Sequence, residues 1–215
     1  MEHKLEERWD HATNELIEKL EKHNIDFSQL NAIELFGRDG TWQTKIFSKK
    51  VKNIEIWEVD PYWKSKLEKN FPNSKIAIQD SIDVLNIEKN LPKFDLILID
   101  NPMNVYRKLN GENMYCEHFD IIQNINKISQ DESLVIFNVN RKPFDYIQYP
   151  LWEKRRNEFY QRNDTDNMEI SFLINFYEKK FDIFGFKTIF NENVVRVICN
   201  GDNMTYYFAY KLKKY

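Results

Sequence analysis

Two of the chain's five glycines, Gly37 and Gly40, lie within four residues of each other at the end of a short apolar run. A backbone without a Cβ atom permits a tight turn and lets a ligand approach closely. In an open α/β sheet, ligands bind beyond the carboxyl ends of the strands, and the first strand-to-helix turn forms the floor of that pocket. The pair therefore predicts a site for a nucleotide-type cofactor, with a tight turn that binds nothing as the competing interpretation.

Acidic or polar residues also follow the next three predicted strands. Glu58 ends the second strand, 18 residues after Gly40, a spacing typical of a carboxylate that accepts both hydroxyls of a ribose. Asp80 ends the third strand and suits an adenine edge. Asp100 and Asn101 end the fourth strand and are predicted to lie beside the reacting centre. A single polar residue at such a position is more often a helix N-cap. Because these residues follow successive strands, they lie along the same edge of the sheet, and that arrangement favours a ligand site.

The turn itself contains a fourth acidic residue, Asp39. A dinucleotide site needs G-x-G-x-x-G, which brings a pyrophosphate against a helix N-terminus. The segment 37–42 lacks both that spacing and the third glycine. A carboxylate here repels phosphate but is compatible with a cofactor that carries sulfonium and ammonium groups. These features disfavour a dehydrogenase.

Alternating strands and helices are predicted to position these residues. Apolar residues at steps of three and four mark residues 3–23 as an amphipathic helix. The run 94–99 is almost continuously apolar, which is typical of a central parallel strand. Two β-rich runs, 186–199 and 204–212, are joined by Asn-Gly, a strong hairpin signal. Further strands are predicted at 32–36, 53–59, 75–79 and 133–137, and helices at 41–49, after Asp60-Pro61, at 117–128 and at 168–181.

The composition bounds the class of protein. With 215 residues, 42% hydrophobic and 30% charged, the chain has enough apolar material for a folded core and the length of one domain. A net charge of -3 argues against a protein that mainly coats nucleic acid. Two distant cysteines suggest reduced thiols rather than a disulfide or zinc site. Without a long apolar run, we expect no membrane partner and a cytoplasmic protein.

At the level of motifs, the sequence resembles the class I S-adenosylmethionine-dependent methyltransferases. Ile33 to Thr41 is similar to their E/D-x-G-x-G-x-G loop, with Trp42 in place of the last glycine. The positions that match this loop are Glu34, Gly37, Asp39 and Gly40. Trp57-Glu58-Val59-Asp60 and Gln79-Asp80-Ser81 resemble the second and third motifs. The resemblance implies Glu58 on the ribose hydroxyls and Asp80, with Ser81, near the adenine.

The resemblance covers about residues 30–140 and, more loosely, the final hairpin. It implies a Rossmann-like α/β fold: a mostly parallel seven-stranded sheet with helices on both faces and a C-terminal antiparallel hairpin. We expect a single domain over residues 1–215, and S-adenosyl-L-methionine as its cofactor. Within that domain the expected parts are an N-terminal helix (1–24), a cofactor-binding core (30–140), an acceptor-binding insertion and helix (141–183) and the hairpin (186–212).

The fourth motif leaves the reaction open. Asn101-Pro102-Met103 supplies the first two letters of the D/N/S-P-P-Y/F/W motif of amino-group methyltransferases, which implies Pro102 beside the substrate. Spermidine-synthase-like aminopropyltransferases are also similar here, and a catalytically idle binding module is a further alternative. For methyl transfer no metal is required. The candidate bases are Asp100 first and His118 second, and Asn101 is suited to orient an amino group.

A basic and aromatic segment follows the fifth predicted strand. Residues 141–162 hold six basic against three acidic side chains, interleaved with aromatic ones. Arg141, Trp152 and Arg155 are therefore candidate contacts for an anionic or planar acceptor, such as a nucleotide, a sugar phosphate or structured RNA. The competing interpretation is a solvated helix that packs through its aromatic side. The sequence does not specify the oligomeric state.

Overall fold

The computed structural model describes residues 2–100, 105–109, 112–115, 118–142, 150–199 and 201–215. The helices are α1 (Glu2–Lys22), α2 (Gln43–Phe47), α3 (Lys64–Asn70), α4 (Ser81–Ile87), α5 (Phe119–Ile122), α6 (Pro150–Tyr160) and α7 (Ile170–Ile183). The strands are β1 (Asn31–Glu34), β2 (Asn53–Glu58), β3 (Lys75–Ile78), β4 (Phe94–Ile99), β5 (Val105–Leu109), β6 (Glu112–Tyr115), β7 (Ser129–Asn140), β8 (Phe186–Cys199) and β9 (Asp202–Lys214).

Within the described residues, seven strands form one sheet in the order β3-β2-β1-β4-β7-β9-β8. The pairs from β3 to β7 are parallel, and β9 runs antiparallel to both β7 and β8. The strand order reverses between β1 and β4, so the loops that leave these two strands diverge and open a crevice at their carboxyl ends. The predicted Rossmann-like sheet with its antiparallel C-terminal pair is confirmed.

Helices cover both faces of this sheet, as predicted. On one face, side chains such as Ile33 and Ile97 pack against α4, α5, the end of α6 and α7. On the other face, Ala32 and Leu98 pack against α1, α2 and α3. The alternation of side chains along each strand thus assigns even-numbered residues of β1 and β4 to the face that α1 covers. Glu34 and Asp100 follow that alternation.

The C-terminal hairpin contains a β-bulge next to the candidate site. Val195 pairs with Tyr206 and Val197 pairs with Thr205, so Arg196 is an extra residue in β8. A bulge of this kind redirects a side chain. Gly201 in the connecting turn has a φ of +82°, the positive value that the Asn-Gly signal predicts. Asn200 lies outside the described residues.

Several element boundaries differ from the sequence-based prediction. α2 begins at Gln43 rather than Thr41, because the loop before it extends to Trp42. In place of a helix over 117–128, α5 covers only four residues and a 3₁₀ turn follows at Ile125–Lys127. The β5–β6 hairpin was not predicted.

Helix α6 falls in a stretch without a clear hydrophobic period. Its buried residues Trp152, Arg156 and Tyr160 are spaced four apart, and the charged middle one masks the apolar stripe. In the described part of the chain, no helix combines the length and the apolar character that a membrane span needs.

Candidate functional site

Acidic side chains gather at the carboxyl edge of the sheet. Glu34 and Glu58 are the last residues of β1 and β2, and Asp100 directly follows β4. These three are buried, whereas Asp80, two residues after β3, is half-buried. The register of the parallel strands brings all four to one edge, as the sequence predicts.

The loop after β1 packs tightly through its two glycines. The Gly37 amide donates to the Trp57 carbonyl at 2.8 Å, and the Gly40 amide donates to the Gly37 carbonyl at 2.8 Å. A Cβ atom at Gly37 would lie 2.4 Å from Ile56 Cγ2, and one at Gly40, where φ is +70°, would lie 2.1 Å from the Phe71 ring. The described structure therefore explains both glycines by packing against β2 and Phe71.

Glu58 fastens this loop to the end of β2. Its Oε2 accepts from the Arg38 amide at 2.5 Å, and its Oε1 accepts from the Asp60 amide at 2.8 Å. A carboxylate has about four acceptor positions, so each oxygen retains one for a further donor such as a ribose hydroxyl. Glu58, the residue predicted to bind the ribose, therefore also anchors the loop after β1 to the end of β2.

Asp39 is held by neighbours on both sides. It accepts from Lys66 Nζ at 2.8 Å and from the Thr41 hydroxyl at 2.8 Å. Burial raises the pKa of its carboxyl, but the hydrogen bonds from Lys66 and Thr41 outweigh that effect and bring the pKa below its ordinary value. The negative charge that the sequence predicts in this turn is therefore present at neutral pH, partly neutralised by Lys66.

Asp80 and Ser81 form the junction between β3 and α4. Asp80 is the N-cap of α4, because its carboxylate accepts from the amides of Ile82 and Asp83. The buried Ser81 hydroxyl donates to the Leu35 carbonyl at 2.6 Å. Ser81 thus ties the start of α4 to the loop after β1, and Asp80 has the capping role that the competing interpretation gives it.

Glu34 is fully buried beneath the loop. Its Oε2 accepts from Gln43 Nε2 at 2.8 Å and from the Thr44 hydroxyl at 3.3 Å, and its Oε1 accepts from the Asp100 amide at 3.3 Å. Burial and the neighbouring Asp100 carboxylate raise the pKa of Glu34 to about 8, despite these hydrogen bonds.

Asp100 is the acidic half of a buried ion pair. Its Oδ1 and Oδ2 accept from Arg196 Nη1 at 2.8 Å and Nη2 at 3.0 Å, and its Oδ1 also accepts from Asn138 Nδ2 at 3.3 Å. Both oxygens are therefore engaged, which differs from the free carboxylate that a general base requires. Asn101 and Pro102, the predicted neighbours of Asp100 in the site, lie outside the described residues.

Arg196 connects Asp100 and Glu34 to the C-terminal hairpin. Its guanidinium carbon lies 4.9 Å from the centroid of the Tyr207 ring and 5.9 Å from that of Trp42. The Tyr207 hydroxyl donates to the Gln43 side-chain carbonyl, which completes a network back to Glu34. Desolvation raises the pKa of Tyr207, so its hydroxyl remains protonated. Sequence reasoning missed Arg196, although a lone arginine among the valines of β8 was a visible signal.

His118 lies inside the aromatic layer on the other face of the sheet. It is fully buried, its Nε2 lies 2.5 Å from the Tyr177 hydroxyl, and the ring of Phe137 is 5.1 Å away between centroids. Burial, with a smaller contribution from Arg156, lowers the pKa of His118 to about 3. The imidazole is therefore neutral and enclosed by aromatic rings, and its role as the second candidate base stays a prediction from the sequence.

The predicted acceptor contacts are largely engaged within the fold. Trp152 is buried against Arg156, while Arg141 pairs with Glu169 and Arg155 pairs with Asp120. An open groove of about 610 Å³ lies along the outer side of α6, but its lining does not include Arg141, Trp152 or Arg155. Arg141 directly follows β7 at the carboxyl edge of the sheet. Contact of the three side chains with an acceptor stays a prediction from the sequence.

The cleft at the loop after β1 is narrow. It is lined by residues 36–42, Thr44 and Asp100 and has a volume of about 20 Å³. That is room for about one water molecule, whereas sites for small molecules typically enclose about 300–1,000 Å³. The described residues therefore enclose little free volume at the loop itself, and the acidic groups of this edge surround it.

The chain is similar to known proteins in structure but not in sequence. No known family model matches the chain, and no curated protein matches it in sequence. The structure is similar to that of SMU.776 in its complex with SAH, with a TM-score of 0.59 and 15% identity over 93% of this chain and 48% of that chain. Our chain therefore spans about half the length of SMU.776.

Two further solved structures match more of their own length. TYW2 from M. jannaschii in complex with AdoMet has a TM-score of 0.52 and 12% identity over 93% of this chain and 76% of that one. The N-methyltransferase NodS from Bradyrhizobium japonicum has a TM-score of 0.53 and 12% identity over 94% and 98%. The chain thus has the Rossmann-like fold that S-adenosylmethionine-dependent methyltransferases share.

Proposed function

We propose that this protein binds S-adenosyl-L-methionine and transfers its methyl group to a small or nucleotide-like acceptor. The observation that carries the proposal is the convergence of Glu34, Glu58, Asp80 and Asp100 at the carboxyl edge of a sheet with the methyltransferase strand order. Solved structures of this fold contain AdoMet or SAH. Burial keeps Glu34 mostly protonated at neutral pH, and Arg196 neutralises Asp100. The negative charge that suits a cofactor with two positive centres and no phosphate therefore comes from Asp39 and from the carboxyl groups at the ends of β2 and β3.

The described residues provide hydrogen-bond acceptors for such a cofactor. Glu58 has acceptor positions left for the ribose hydroxyls, and Asp80 lies at the neighbouring strand end, where an adenine amino group would meet a carboxylate. Asp39 adds a negative charge to the turn. The cofactor supplies an activated methyl group, so the protein's task is to bind and orient the reactants and to exclude water.

The network below the loop suits this orienting role. Arg196 holds the Asp100 carboxylate in one position, and the Asp100 amide donates to Glu34. We assign Asp100 to positioning the chain segment that follows β4 rather than to proton abstraction. For Asn101, orientation of an acceptor amino group stays a prediction from the sequence.

A second candidate is a methyltransferase-like binding module without catalysis. The narrow cleft beside Trp42 and the ion pair at its floor specifically favour this alternative. An aminopropyltransferase is the third alternative, and preferential binding of decarboxylated S-adenosylmethionine would favour it.

Isothermal titration calorimetry with S-adenosylmethionine and with S-adenosylhomocysteine tests the proposal. We expect both to bind, and Glu58→Ala to weaken binding at least tenfold because the ribose acceptor is lost and the Arg38 amide is released. Glu88→Ala is the matched control, since Glu88 is exposed after the end of α4 and is expected to leave affinity unchanged. Circular dichroism of both variants shows whether the fold is retained.

Absence of binding by the wild-type protein would refute the cofactor assignment and support the binding module. Unchanged affinity in a folded Glu58→Ala variant would show that the ribose site lies elsewhere. If binding is confirmed, an acceptor screen with methyl-labelled cofactor separates an active enzyme from a silent one.

A further inference from the structure

Three polar side chains lie together at the carboxyl end of β7, one strand away from Asp100. Asn140 is the last residue of β7, and Thr205 pairs with it from β9. The Thr205 hydroxyl donates to Asn140 Oδ1 at 3.3 Å, and Asn138 Nδ2 donates to Asp100 Oδ1 at 3.3 Å. Each of the three residues is at most 7% exposed. We call Asn138, Asn140 and Thr205 the β7 amide cluster.

The amide of Asn140 contains a donor that the fold does not use. Its Oδ1 accepts from Thr205, and its backbone carbonyl accepts from Arg156 Nη2 at 2.7 Å. Among the residues that the structure describes, none accepts a hydrogen bond from Asn140 Nδ2. A buried donor without a partner is costly, and nearly all such groups in folded proteins have one. The fold therefore holds the Asn140 amide with its donor free for a ligand.

Position in the sheet separates this cluster from the proposed cofactor contacts. The strand order places β7 next to β4, on the side away from β1, β2 and β3. Neighbouring strands are about 4.8 Å apart, so β7 lies about 14 Å from β2, which ends in Glu58, and about 19 Å from β3, which precedes Asp80. The predicted ribose and adenine contacts are therefore on the far side of the reacting centre at the end of β4, and the β7 amide cluster adjoins that centre.

The charged groups beside the cluster are paired with one another. Arg196, whose side chain is 1% exposed, forms an ion pair with Asp100, and Arg141 pairs with Glu169. An anionic ligand here would bring an unpaired charge next to the Asp100 carboxylate, and burial of an unpaired charge is strongly unfavourable. The cluster therefore suits an uncharged polar ligand.

A carboxamide matches the groups that the cluster offers. Asn140 Nδ2 is a donor, and Thr205 Oγ1, which donates to Asn140, retains lone pairs that can accept a hydrogen bond. A carboxamide has a carbonyl oxygen for the first group and an N–H for the second. A carboxylate of the same shape has no N–H and carries a negative charge.

The pairing of Asp100 limits the kind of nucleophile. Both of its oxygens accept from the Arg196 guanidinium. A proton taken up from an acceptor would neutralise Asp100 and leave the buried Arg196 charge unpaired, which is costly. Methyl transfer beside this ion pair therefore suits a nucleophile whose lone pair is free at neutral pH. A pyridine-type ring nitrogen is such a group, because it has no proton to lose.

We propose that the methyl acceptor is an uncharged nitrogen heterocycle that carries a carboxamide, and that the β7 amide cluster binds the carboxamide. The inference rests on the proposed function and specifies its substrate class. The lone pair of the ring nitrogen forms a bond to the methyl carbon while the carbon–sulfur bond breaks and its electron pair stays on sulfur. The positive charge passes to the ring, S-adenosylhomocysteine leaves as a neutral thioether at sulfur, and no proton is released.

Calorimetry with nicotinamide tests the carboxamide site, with nicotinate as the matched anion and S-adenosylhomocysteine present to fill the cofactor site. We expect nicotinamide to bind and nicotinate to bind about tenfold more weakly or worse, because its charge has no free partner. Asn140→Ala should weaken nicotinamide binding about fivefold or more, through the loss of one hydrogen bond.

Two further measurements keep this test independent of folding defects. The affinity of Asn140→Ala for S-adenosylhomocysteine should equal that of the wild type, which shows that the variant is folded. Thr205→Val removes the acceptor at nearly constant volume and should weaken nicotinamide binding about twofold or more. Asn90→Ala, which changes an exposed asparagine before β4, is the control.

Methyl-labelled S-adenosylmethionine then tests the acceptor role, and we expect label in nicotinamide and none in benzamide, whose ring lacks the nitrogen. Nicotinate binding as tightly as nicotinamide, or wild-type affinity in folded Asn140→Ala and Thr205→Val, would overturn the carboxamide site. Nicotinamide binding without methyl transfer would overturn the acceptor role. If S-adenosylhomocysteine binds and nicotinamide does not, this inference fails and the proposed function stands. Nicotinamide binding by a protein that binds neither S-adenosylmethionine nor S-adenosylhomocysteine would refute the proposed function and leave the carboxamide site standing.

Discussion

The surroundings of Glu34 have opposing effects on the pKa of its carboxyl group. Four donors surround its carboxyl group, yet full burial and the adjacent Asp100 carboxylate raise its pKa to about 8. A carboxyl group whose pKa is higher in the folded than in the unfolded chain binds a proton more tightly when folded. Glu34 therefore links the stability of the loop region to pH over a range in which most carboxylates do not titrate.

We predict that the pH dependence of stability caused by Glu34 is absent from the Glu34→Gln variant. The stabilisation from the raised pKa is fully present below the ordinary value of 4.5 and is lost as pH rises to about 8. Across that window the unfolding free energy of the wild type, minus that of the variant, should fall by up to about 1.4 kcal/mol per pH unit. Urea unfolding of both proteins from pH 5 to pH 9 measures the difference. A difference that is constant or increases with pH would contradict the assigned pKa.

At the residue scale, the sequence shows acidic strand ends but not their partners. Glu34, Glu58 and Asp100 are predictable because a parallel sheet brings the carboxyl ends of its strands to one edge. The pairing of Asp100 with Arg196 is not predictable, since the two lie 96 positions apart and a bulge in β8 aims the arginine. His118 was also missed as a buried residue, because its enclosing rings come from distant elements.

Among the elements, the turn between β1 and α2 depends most on residue size. Gly40 has both a positive φ and a neighbour, Phe71, in the place of a Cβ atom. Gly201 in the β8–β9 turn has a similar φ of +82°, but apart from the glycine and its two chain neighbours no described residue has an atom within 4 Å of the point that a Cβ atom would occupy. A comparison of substitutions at the two glycines therefore separates the cost of a positive φ from the cost of overlap between a Cβ atom and Phe71.

We predict that Gly40→Ala destabilises the protein by about 3 kcal/mol or more, because strain of about 1 kcal/mol is added to overlap with Phe71. Gly201→Ala should cost only about 1 kcal/mol, from strain alone. Replacement of Phe71 by leucine in the Gly40→Ala background should recover part of the difference. Urea unfolding measures all three. Equal losses for the two glycine variants would show that Phe71 does not determine the conformation of the turn.

Element types were more predictable than element boundaries. The hairpin β8–β9 was predicted because two long β-rich runs flank an Asn-Gly pair, and β4 because its apolar run is continuous. Helix α6 was not, since its inner stripe contains Arg156, whose buried guanidinium donates to the carbonyls of Asn140 and Thr165. In the sequence, a buried charged residue whose hydrogen-bond partners lie within the fold cannot be distinguished from a charged residue on the surface.

For the molecule as a whole, the sheet separates two apolar layers that share the same strands. Leu16 of α1 belongs to one layer and Phe181 of α7 to the other, and both side chains are fully buried. Because adjacent residues of β1, β4, β7 and β9 alternate between the layers, neither layer can loosen without disturbing the strands that support the other. We propose that the described part of the chain folds as a single domain.

A single domain should unfold in one cooperative step. We predict that Leu16→Ala lowers the unfolding free energy by about 2–5 kcal/mol and Phe181→Ala by about 3–5 kcal/mol, because each leaves a cavity in a packed layer. Each variant should shift the whole transition, followed in parallel by far-ultraviolet circular dichroism and tryptophan fluorescence. Glu18→Ala, on the exposed side of α1, is the control and should leave the midpoint within about 0.5 kcal/mol of wild type. If either core variant moved only one part of a biphasic transition, the layers would be separate folding units and the single-domain inference would fail.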